Sequence, residues 1–222
     1  MESVFEIIFK YKDAFASGLL VTLNLCLIIW ILGLAIGGIL GILSEKWKKS
    51  IGFPVRSLSF ILAGIPILVF LFWLHYPAQS MLNIVVDPFY TAASMLTILN
   101  IFAVSDIVRG GINNLPNQYI EVAKICGLNN KKRFLKIELP LIFRHIFPSL
   151  LITQVNMLHM TLFASLISVE EIFRISQRVI SVEYKPVEIY TALGIFFLIV
   201  SLPLNGVALY FKNKYNRNLS ER

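Results

Sequence analysis

Five stretches of this chain contain no Asp, Glu, Lys or Arg over at least 18 residues. An α-helix rises about 1.5 Å per residue, so each stretch is long enough to approach or exceed the roughly 30 Å hydrocarbon core of a bilayer. Lipid offers backbone groups no hydrogen-bond partners, and the stretches lack the alternation of a barrel strand, so helices are expected. The charge-free stretches are residues 14–44, 57–86, 88–105, 145–169 and 189–211.

Composition supports the same fold class. Hydrophobic residues make up 57% of the 222 residues, more apolar surface than a single soluble core of this size hides from water. We therefore predict an all-α membrane protein with five transmembrane helices, forming one domain over residues 1–222. The predicted spans are 14–43, 54–78, 88–109, 145–170 and 187–211, and the longest polar connection between them is 112–140.

Basic residues follow the predicted topology rather than one soluble face, so the net charge of +7 does not indicate a nucleic-acid partner. Fifteen of the 20 Lys and Arg residues lie in segments 45–56, 106–144 and 212–222, and five lie in segments 1–13 and 170–188. The positive-inside rule then places the N-terminus outside and the C-terminus in the cytoplasm.

Motifs for catalysis and for metal or phosphate binding are missing from the sequence. No metal-ligand spacing surrounds Cys26 or Cys126, and the sequence has no Gly-x-x-x-x-Gly-Lys-Ser/Thr loop, His-Glu-x-x-His pair or Gly-x-Ser-x-Gly elbow. We predict no catalytic residue, no metal site and no cofactor in this chain. Two alternatives of other classes are an intramembrane enzyme using His159 with Glu170 or Asp106, and an autonomous channel or secondary carrier.

Small residues and prolines predict local features of the first two spans. Gly33, Gly37 and Gly41 recur every four residues, a stripe that lets another helix approach closely. Gly64 and Pro66 predict a kink near residues 62–66, because proline has no N–H to donate to the preceding turn.

The connection 112–140 carries the most informative pattern in the chain. It contains Glu121-Val122-Ala123, then Gly127, then Ile137-Glu138-Leu139-Pro140. The pattern predicts two short helices joined at the glycine, one over Ile120 to Ile125 and one over Lys131 to Leu139, before Pro140.

This spacing resembles the EAA loop in the membrane subunits of ATP-binding cassette importers. The chain is similar to binding-protein-dependent transport permeases, and more narrowly to their polar amino acid uptake subfamily, which includes histidine and glutamine permeases. Further segments that resemble this subfamily are Gly64 to Leu68, Asp106 to Gly111 and Thr161 to Glu171.

The resemblance implies a type I ABC importer (MetI-like) permease fold in a bacterial cytoplasmic (inner) membrane. It implies a homodimer or heterodimer of permease subunits, two ATPase subunits that bind ATP and Mg²⁺, and an extracytoplasmic binding protein that delivers an amino acid or similar small solute. It also implies that Glu121 caps or pairs at the ATPase joint, Ala123 permits close approach and Gly127 supplies the turn. The residues implied for ATPase coupling are Glu121, Ala123, Gly127, Ile137, Leu139 and Pro140.

The chain departs from the subfamily along the presumed translocation path. His159-Met160 stands where Lys-Asp is usual, and Ala63 replaces an arginine. These departures favour either a more apolar solute or a path with no fixed binding site. His159 has three open roles: a neutral group donating to a neighbouring helix carbonyl or to Thr161, a residue lining the substrate route, or a proton carrier. The predicted pathway residues are Gly64, Pro66, Asn100, His159, Met160, Thr161 and Ser165.

Charged residues at two span ends predict intrahelical pairs. Asp106 and Arg109 are three residues apart at the inner end of the third span. Glu170 and Glu171 lie with Arg174 and Arg178 at the outer end of the fourth, where an external gate and a contact with the binding protein are open roles. A solvated i,i+4 pair of Glu170 with Arg174 is favoured over both.

Overall fold

The computed structural model describes residues 4–220, without the side chains at positions 4, 5, 117, 120, 124 and 216–220. Over these residues the chain consists of helices and short turns, with no strand. The helices are α1 (Val4–Lys10), α2 (Lys12–Lys46), α3 (Phe53–Gly64), α4 (Ile67–His75), α5 (Pro77–Leu82), α6 (Pro88–Asn113), α7 (Asn117–Ile125), α8 (Asn130–Arg133), α9 (Leu139–Met160), α10 (Ile172–Glu183) and α11 (Pro186–Ser220).

Four continuous helical segments within residues 4–220 are long and apolar enough to cross a membrane. A fifth crossing is formed if the bent pair of segments Lys48–Gly64 and Ile67–Leu82 counts as one span. The all-α membrane fold predicted from the sequence is therefore confirmed. The four continuous segments are Lys12–Lys46, Pro88–Asn113, Asn130–Ile167 and Pro186–Tyr215.

The break in the second span lies where Gly64 and Pro66 predict it. The two segments meet at an angle of 98°, and Ile65 between them is extended, with φ −90° and ψ 124°. Pro66 has no N–H to continue the hydrogen-bond ladder of α3, and its own carbonyl accepts from Phe70 in the first turn of α4 at 3.0 Å. The kink expected near residues 62–66 of the predicted span 54–78 is thus a full break between two short helices.

The glycine stripe of α2 packs against α6. A Cβ atom added at Gly37 would lie 2.6 Å from the carbonyl oxygen of Ile101, and one at Gly41 would lie 2.8 Å from that of Ser105. Gly33 meets the Asn100 side chain in the same way. Close backbone approach of these two helices requires glycine at these positions.

The helix that contains the fourth span begins before that span, at Asn130, because α8 continues into α9 through a π-helical turn, Phe134–Glu138. The N–H of Leu139 donates to the carbonyl of Phe134, five residues back, and Pro140 follows where no N–H is needed. The predicted separate helix ending before Pro140 is wrong for this reason. At its other end the helix tightens into a 3₁₀ segment, Thr161–Ile167, and stops at Ser168 with φ 71°.

The amphipathic helix α10 lies against the N-terminal half of α2. Thr22 accepts the backbone N–H of Ile172 at 3.2 Å, and Gly18 leaves room for α10 to approach. At the other end of α10, Glu183 accepts from Lys10 Nζ at 2.8 Å and from the Tyr11 hydroxyl at 2.6 Å. These two hydrogen bonds, the Lys10 bond first, hold the pKa of Glu183 below its usual range.

The predicted pair between Glu170 and Arg174 is wrong. Glu170 precedes α10, so the i,i+4 spacing of a helix does not apply to it. Its carboxylate instead meets Arg178 Nη2 at 2.5 Å in an exposed ion pair.

Candidate coupling segment and translocation surface

Gly127 ends α7 in the way that its place in the sequence predicts. Its φ is +72°, a left-handed conformation that favours glycine, and the N–H of Leu128 donates to the carbonyl of Ala123 at 3.1 Å. A six-to-one hydrogen bond around a left-handed glycine is the Schellman arrangement. The turn fixes the direction in which the chain leaves α7.

A side-chain cap then starts α8. Asn129 Oδ1 accepts the N–H of Lys132 at 2.8 Å, so Asn129, two residues after the glycine, is the N-cap of the helix that continues into the fourth span. Arg133 Nε meets Glu138 Oε1 at 2.6 Å, and both side chains are mostly buried. This ion pair links the two sides of the π-helical turn just before Pro140 and stabilises it.

One face of α7 is exposed although it carries apolar side chains. Val122 is 58% exposed and Ile125 is 85% exposed, with Gln118 and Glu121 exposed beside them at helical spacing. Ala123 on the opposite side is 1% exposed. Exposed apolar residues concentrated on one helix face are typical of a surface that binds another protein.

The remaining predicted coupling residues lie on the π-helical turn and the start of α9. Ile137 and Pro140 are half-buried, whereas Leu139 is exposed. Glu121 occupies the middle of α7, so it caps neither short helix, and Asn129 supplies the cap of α8. Asn129 was not among the predicted site residues, although an Asn just after a glycine is a recognisable N-cap signal.

A polar face runs along α9, and the sequence analysis identified only one of its members. His145, Ser149, Asn156 and His159 are all exposed and recur at helical spacing. The exposed face of α11, by contrast, is apolar and includes Ile199 at 66% exposure. Polar groups at membrane depth are stable only where they face protein or a water-filled cavity, so this face of α9 does not suit lipid.

The predicted pathway residues differ in burial. Asn100, Thr161 and Ser165 are buried, and the hydroxyls of Thr161 and Ser165 donate to carbonyls of their own helix at 2.7 Å. Gly64 and Pro66 are exposed at the break of the second span. The structure therefore does not bring all seven residues onto one surface.

His159 lies at the surface of the chain, next to half-buried Met160. Its ring meets Phe197 of α11 edge-on, with ring centroids 5.9 Å apart. The Thr161 hydroxyl donates to the carbonyl of Leu158 and not to His159. The contact with Phe197 orients the imidazole while leaving it exposed.

The predicted pair between Asp106 and Arg109 is confirmed. Asp106 Oδ1 accepts from Arg109 Nη2 at 2.8 Å, and Asp106 Oδ2 accepts from the Ser59 hydroxyl at 2.5 Å. Because Ser59 belongs to α3, the aspartate also ties the first half of the broken span to α6.

Glu171, predicted only as one of the charges at the outer end of the fourth span, is a further functional candidate. It is fully buried and caps α10, accepting the N–H groups of Phe173 at 2.9 Å and Arg174 at 2.8 Å. It lies between the end of the fourth span and α10, outside the spanning segments. Burial raises its pKa to about 7, against the smaller opposite effect of the two backbone hydrogen bonds.

Comparison with known proteins identifies the family. Residues 33–217 match the family described as the binding-protein-dependent transport system inner membrane component. The chain belongs to this family. It is therefore a membrane permease component of an importer of the ATP-binding cassette class, not an enzyme, and it resides in the inner membrane.

Individual relatives agree with this assignment. The chain is 29% identical over 198 residues to the octopine transport system permease protein of Rhizobium radiobacter, covering 85% of this chain and 80% of the relative. It is 27% identical over 187 residues to the glutamine transport system permease protein of Escherichia coli, covering 81% of this chain and 85% of that relative. A crystal structure of an amino acid ABC transporter with histidines superposes with a TM-score of 0.84 at 23% identity, covering 96% of this chain and 100% of that one.

These findings confirm the family resemblance, the MetI-like permease fold and the role in transport. The existence of an ATPase and a binding protein as partners follows from the family. The individual coupling and pathway residues stay predictions.

Proposed function

We propose that this chain carries an amino acid or a similarly small solute across the inner membrane, as one of two permease subunits driven by two ATPase subunits. The relatives named above transport octopine and glutamine, both of which are amino acids or amino acid derivatives. The partner ATPases bind ATP and Mg²⁺, and an extracytoplasmic binding protein delivers the solute. The N-terminus lies outside and the C-terminus in the cytoplasm.

The exposed apolar face of α7 carries this proposal. Val122 and Ile125 form a ridge that water solvates poorly, flanked by Glu121, and a cleft on an ATPase subunit would remove it from water. Burying an aliphatic side chain contributes about 1.5–3 kcal/mol, so these two residues together contribute about 3–6 kcal/mol toward holding the short helix in a cleft.

The connection from α7 to the fourth span supplies the mechanical link. Gly127 fixes the turn, Asn129 caps α8, and the helix then runs without interruption from Asn130 to Ile167. A displacement of α7 by the ATPase is therefore passed to the start of a continuous membrane helix. Rigid-body movement of this kind is one way in which transporters change access.

The polar face of α9 is the proposed wall of the translocation route. His159 and Asn156 offer hydrogen-bonding groups at membrane depth, and α9 contains no carboxylate. This composition suits a solute whose side chain is neutral better than one with a cationic side chain. Gly64 and Pro66 lie at the break of the second span, and we propose that their exposed backbone lines the same route.

The test is purification of the tagged chain from its own membranes, followed by an assay of ATP hydrolysis. An ATPase subunit is expected to copurify, and Ile125→Glu is expected to abolish its recovery by placing a charge in the proposed cleft. Val85→Glu is the matched control, because Val85 is 98% exposed but lies in the loop between α5 and α6. Undiminished recovery with Ile125→Glu, or equal loss with Val85→Glu, would contradict the docking role of α7.

A further inference from the structure

An apolar groove of about 360 Å³ lies between α2, α6 and α9. Leu34, Gly38 and Ile42 of α2 form one wall, and Leu139 and Phe143 of α9 belong to the other. Phe143 is 54% exposed, and no atom lies within 4 Å of a Cβ placed at Gly38, so the groove is open. In a bilayer such a space must be filled by apolar atoms.

The length of the groove matches one leaflet of a membrane. From Leu34 to Ile42 the α2 wall rises eight residues, or about 12 Å at 1.5 Å per residue, close to half of a roughly 30 Å hydrocarbon core. Gln154, which is buried, lines the groove along with the apolar residues.

A basic and aromatic cluster follows the groove on the same face of α2. Lys46 continues the four-residue spacing of Leu34, Gly38 and Ile42, so it lies one turn beyond the groove. Its Nζ lies 4.7 Å from the centroid of the Trp47 ring, and both residues are exposed. A lysine with an exposed tryptophan at the end of a spanning helix is typical of the headgroup region.

We propose that the groove binds one acyl chain of an anionic phospholipid, whose phosphate is bound by Lys46. The apolar walls match the chain, the span of the groove matches its leaflet, and the charge of Lys46 selects an anionic headgroup. Phe134, in the turn that joins α8 to α9, and Leu139, the first residue of α9, also line the groove, so the lipid contacts the segment that follows α7. The inference does not require α7 to bind an ATPase.

The test is native mass spectrometry of the chain, purified with its partners in mild detergent, after addition of phosphatidylglycerol or phosphatidylcholine with identical acyl chains. Phosphatidylglycerol is expected to be retained about fivefold better, the factor that corresponds to about 1 kcal/mol for one lysine near an anionic group. Lys46→Gln is expected to bring the two lipids to equal retention. Gly38→Leu fills the open groove and is expected to lower retention of both.

Matched controls separate binding from folding. Lys12→Gln removes a charge from the opposite end of α2, and Gly194→Leu adds a side chain in α11 where the structure also has open space. Both are expected to retain phosphatidylglycerol like the wild type, with the thermal midpoint of Gly38→Leu equal to that of Gly194→Leu. Three outcomes would overturn the proposal. The wild type retains no lipid, which is the result expected if a second subunit fills the groove; it retains both lipids equally; or the control variants lose as much retained phosphatidylglycerol as Lys46→Gln and Gly38→Leu.

Discussion

Asn100 of α6 and Gln154 of α9 exchange two hydrogen bonds in the buried centre of the helix bundle. Asn100 Nδ2 donates to Gln154 Oε1 at 3.0 Å, and Gln154 Nε2 donates back to Asn100 Oδ1 at 3.3 Å. Both residues also reach α2, because Asn100 donates to the carbonyl of Ile29 and the carbonyl of Gln154 accepts from the Trp30 indole. One polar junction thus joins three spanning helices, in a setting where lipid offers no substitute partners.

Asn100→Ala is expected to lower the free energy of unfolding by about 1–2 kcal/mol, because the Gln154 side chain loses its partner. The double variant with Gln154→Ala is expected to cost less than the sum of the two single variants. Thermal unfolding in detergent measures both effects, with Asn156→Ala on the exposed face of α9 as the control. If the two losses of stability add, or if Asn100→Ala changes solute uptake without changing stability, the predicted pathway role of Asn100 would be favoured over a structural role in this junction.

Two adjacent glycines test the contact between α2 and α6. Gly37→Ala is expected to lower the free energy of unfolding by about 1–3 kcal/mol, because the new methyl group would overlap the carbonyl of Ile101. Gly38→Ala adds the same methyl group in open space and is expected to leave stability unchanged or slightly raised. Chemical unfolding of the two variants side by side provides the measurement, and equal effects would show that the helices do not pack at Gly37.

The buried carboxyl of Glu171 predicts a pH dependence of stability. Burial raises its pKa to about 7 in the folded chain, from an ordinary value of about 4.5 for a solvated glutamate. The folded state therefore holds the proton more tightly, so the contribution is fully present below pH 4.5 and is lost as the pH rises through 7. Glu171→Gln removes the titration while keeping one acceptor for the cap of α10.

The slope of the thermal midpoint against pH over this interval is the quantity to measure. The part of the slope due to Glu171 is expected to disappear in Glu171→Gln, and Glu170→Gln, which alters an exposed carboxylate, is the control. A slope that is the same in Glu171→Gln and in the wild type would show that Glu171 does not titrate there.

The polar face of α9 predicts separate effects on transport and on stability. His159→Ala and Asn156→Ala are expected to change the KM for uptake or the preference among solutes, since both side chains face the proposed route. Phe163→Ala is a nearby comparison at a half-buried apolar position, where a loss of packing is expected to lower stability instead. Unchanged uptake kinetics in both polar variants would assign this face to contact between subunits rather than to the solute.

Local sequence rules predicted much of this fold, and the reason is visible at particular residues. The glycine stripe, the break at Pro66, the turn at Gly127 and the pair of Asp106 with Arg109 each depend on a few neighbouring residues. Their physical causes are the space that glycine leaves, the missing N–H of proline and helical spacing, all of which are local.

The features that the sequence analysis missed depend on parts of the chain that are distant in sequence. Which face of α9 is exposed is decided by where α6 and α11 pack, so His145, Ser149 and Asn156 look like ordinary members of an apolar run. Glu171 is buried beside α2, where the N–H of the next residue, Ile172, donates to Thr22, which lies 150 residues before Ile172 in the chain. The continuous helix through Pro140 depends on a π-helical turn that residue spacing does not distinguish from a helix end.

The most direct test of the whole account is solute uptake and ATP hydrolysis measured together in proteoliposomes containing the permease, its ATPase and the binding protein. Gly127→Pro is incompatible with a φ of +72°, and Glu121→Lys reverses the charge on the exposed face of α7. Both variants are expected to insert normally and to lose uptake, with hydrolysis no longer responding to the loaded binding protein. Uptake at the wild-type rate in both variants would contradict coupling through this segment.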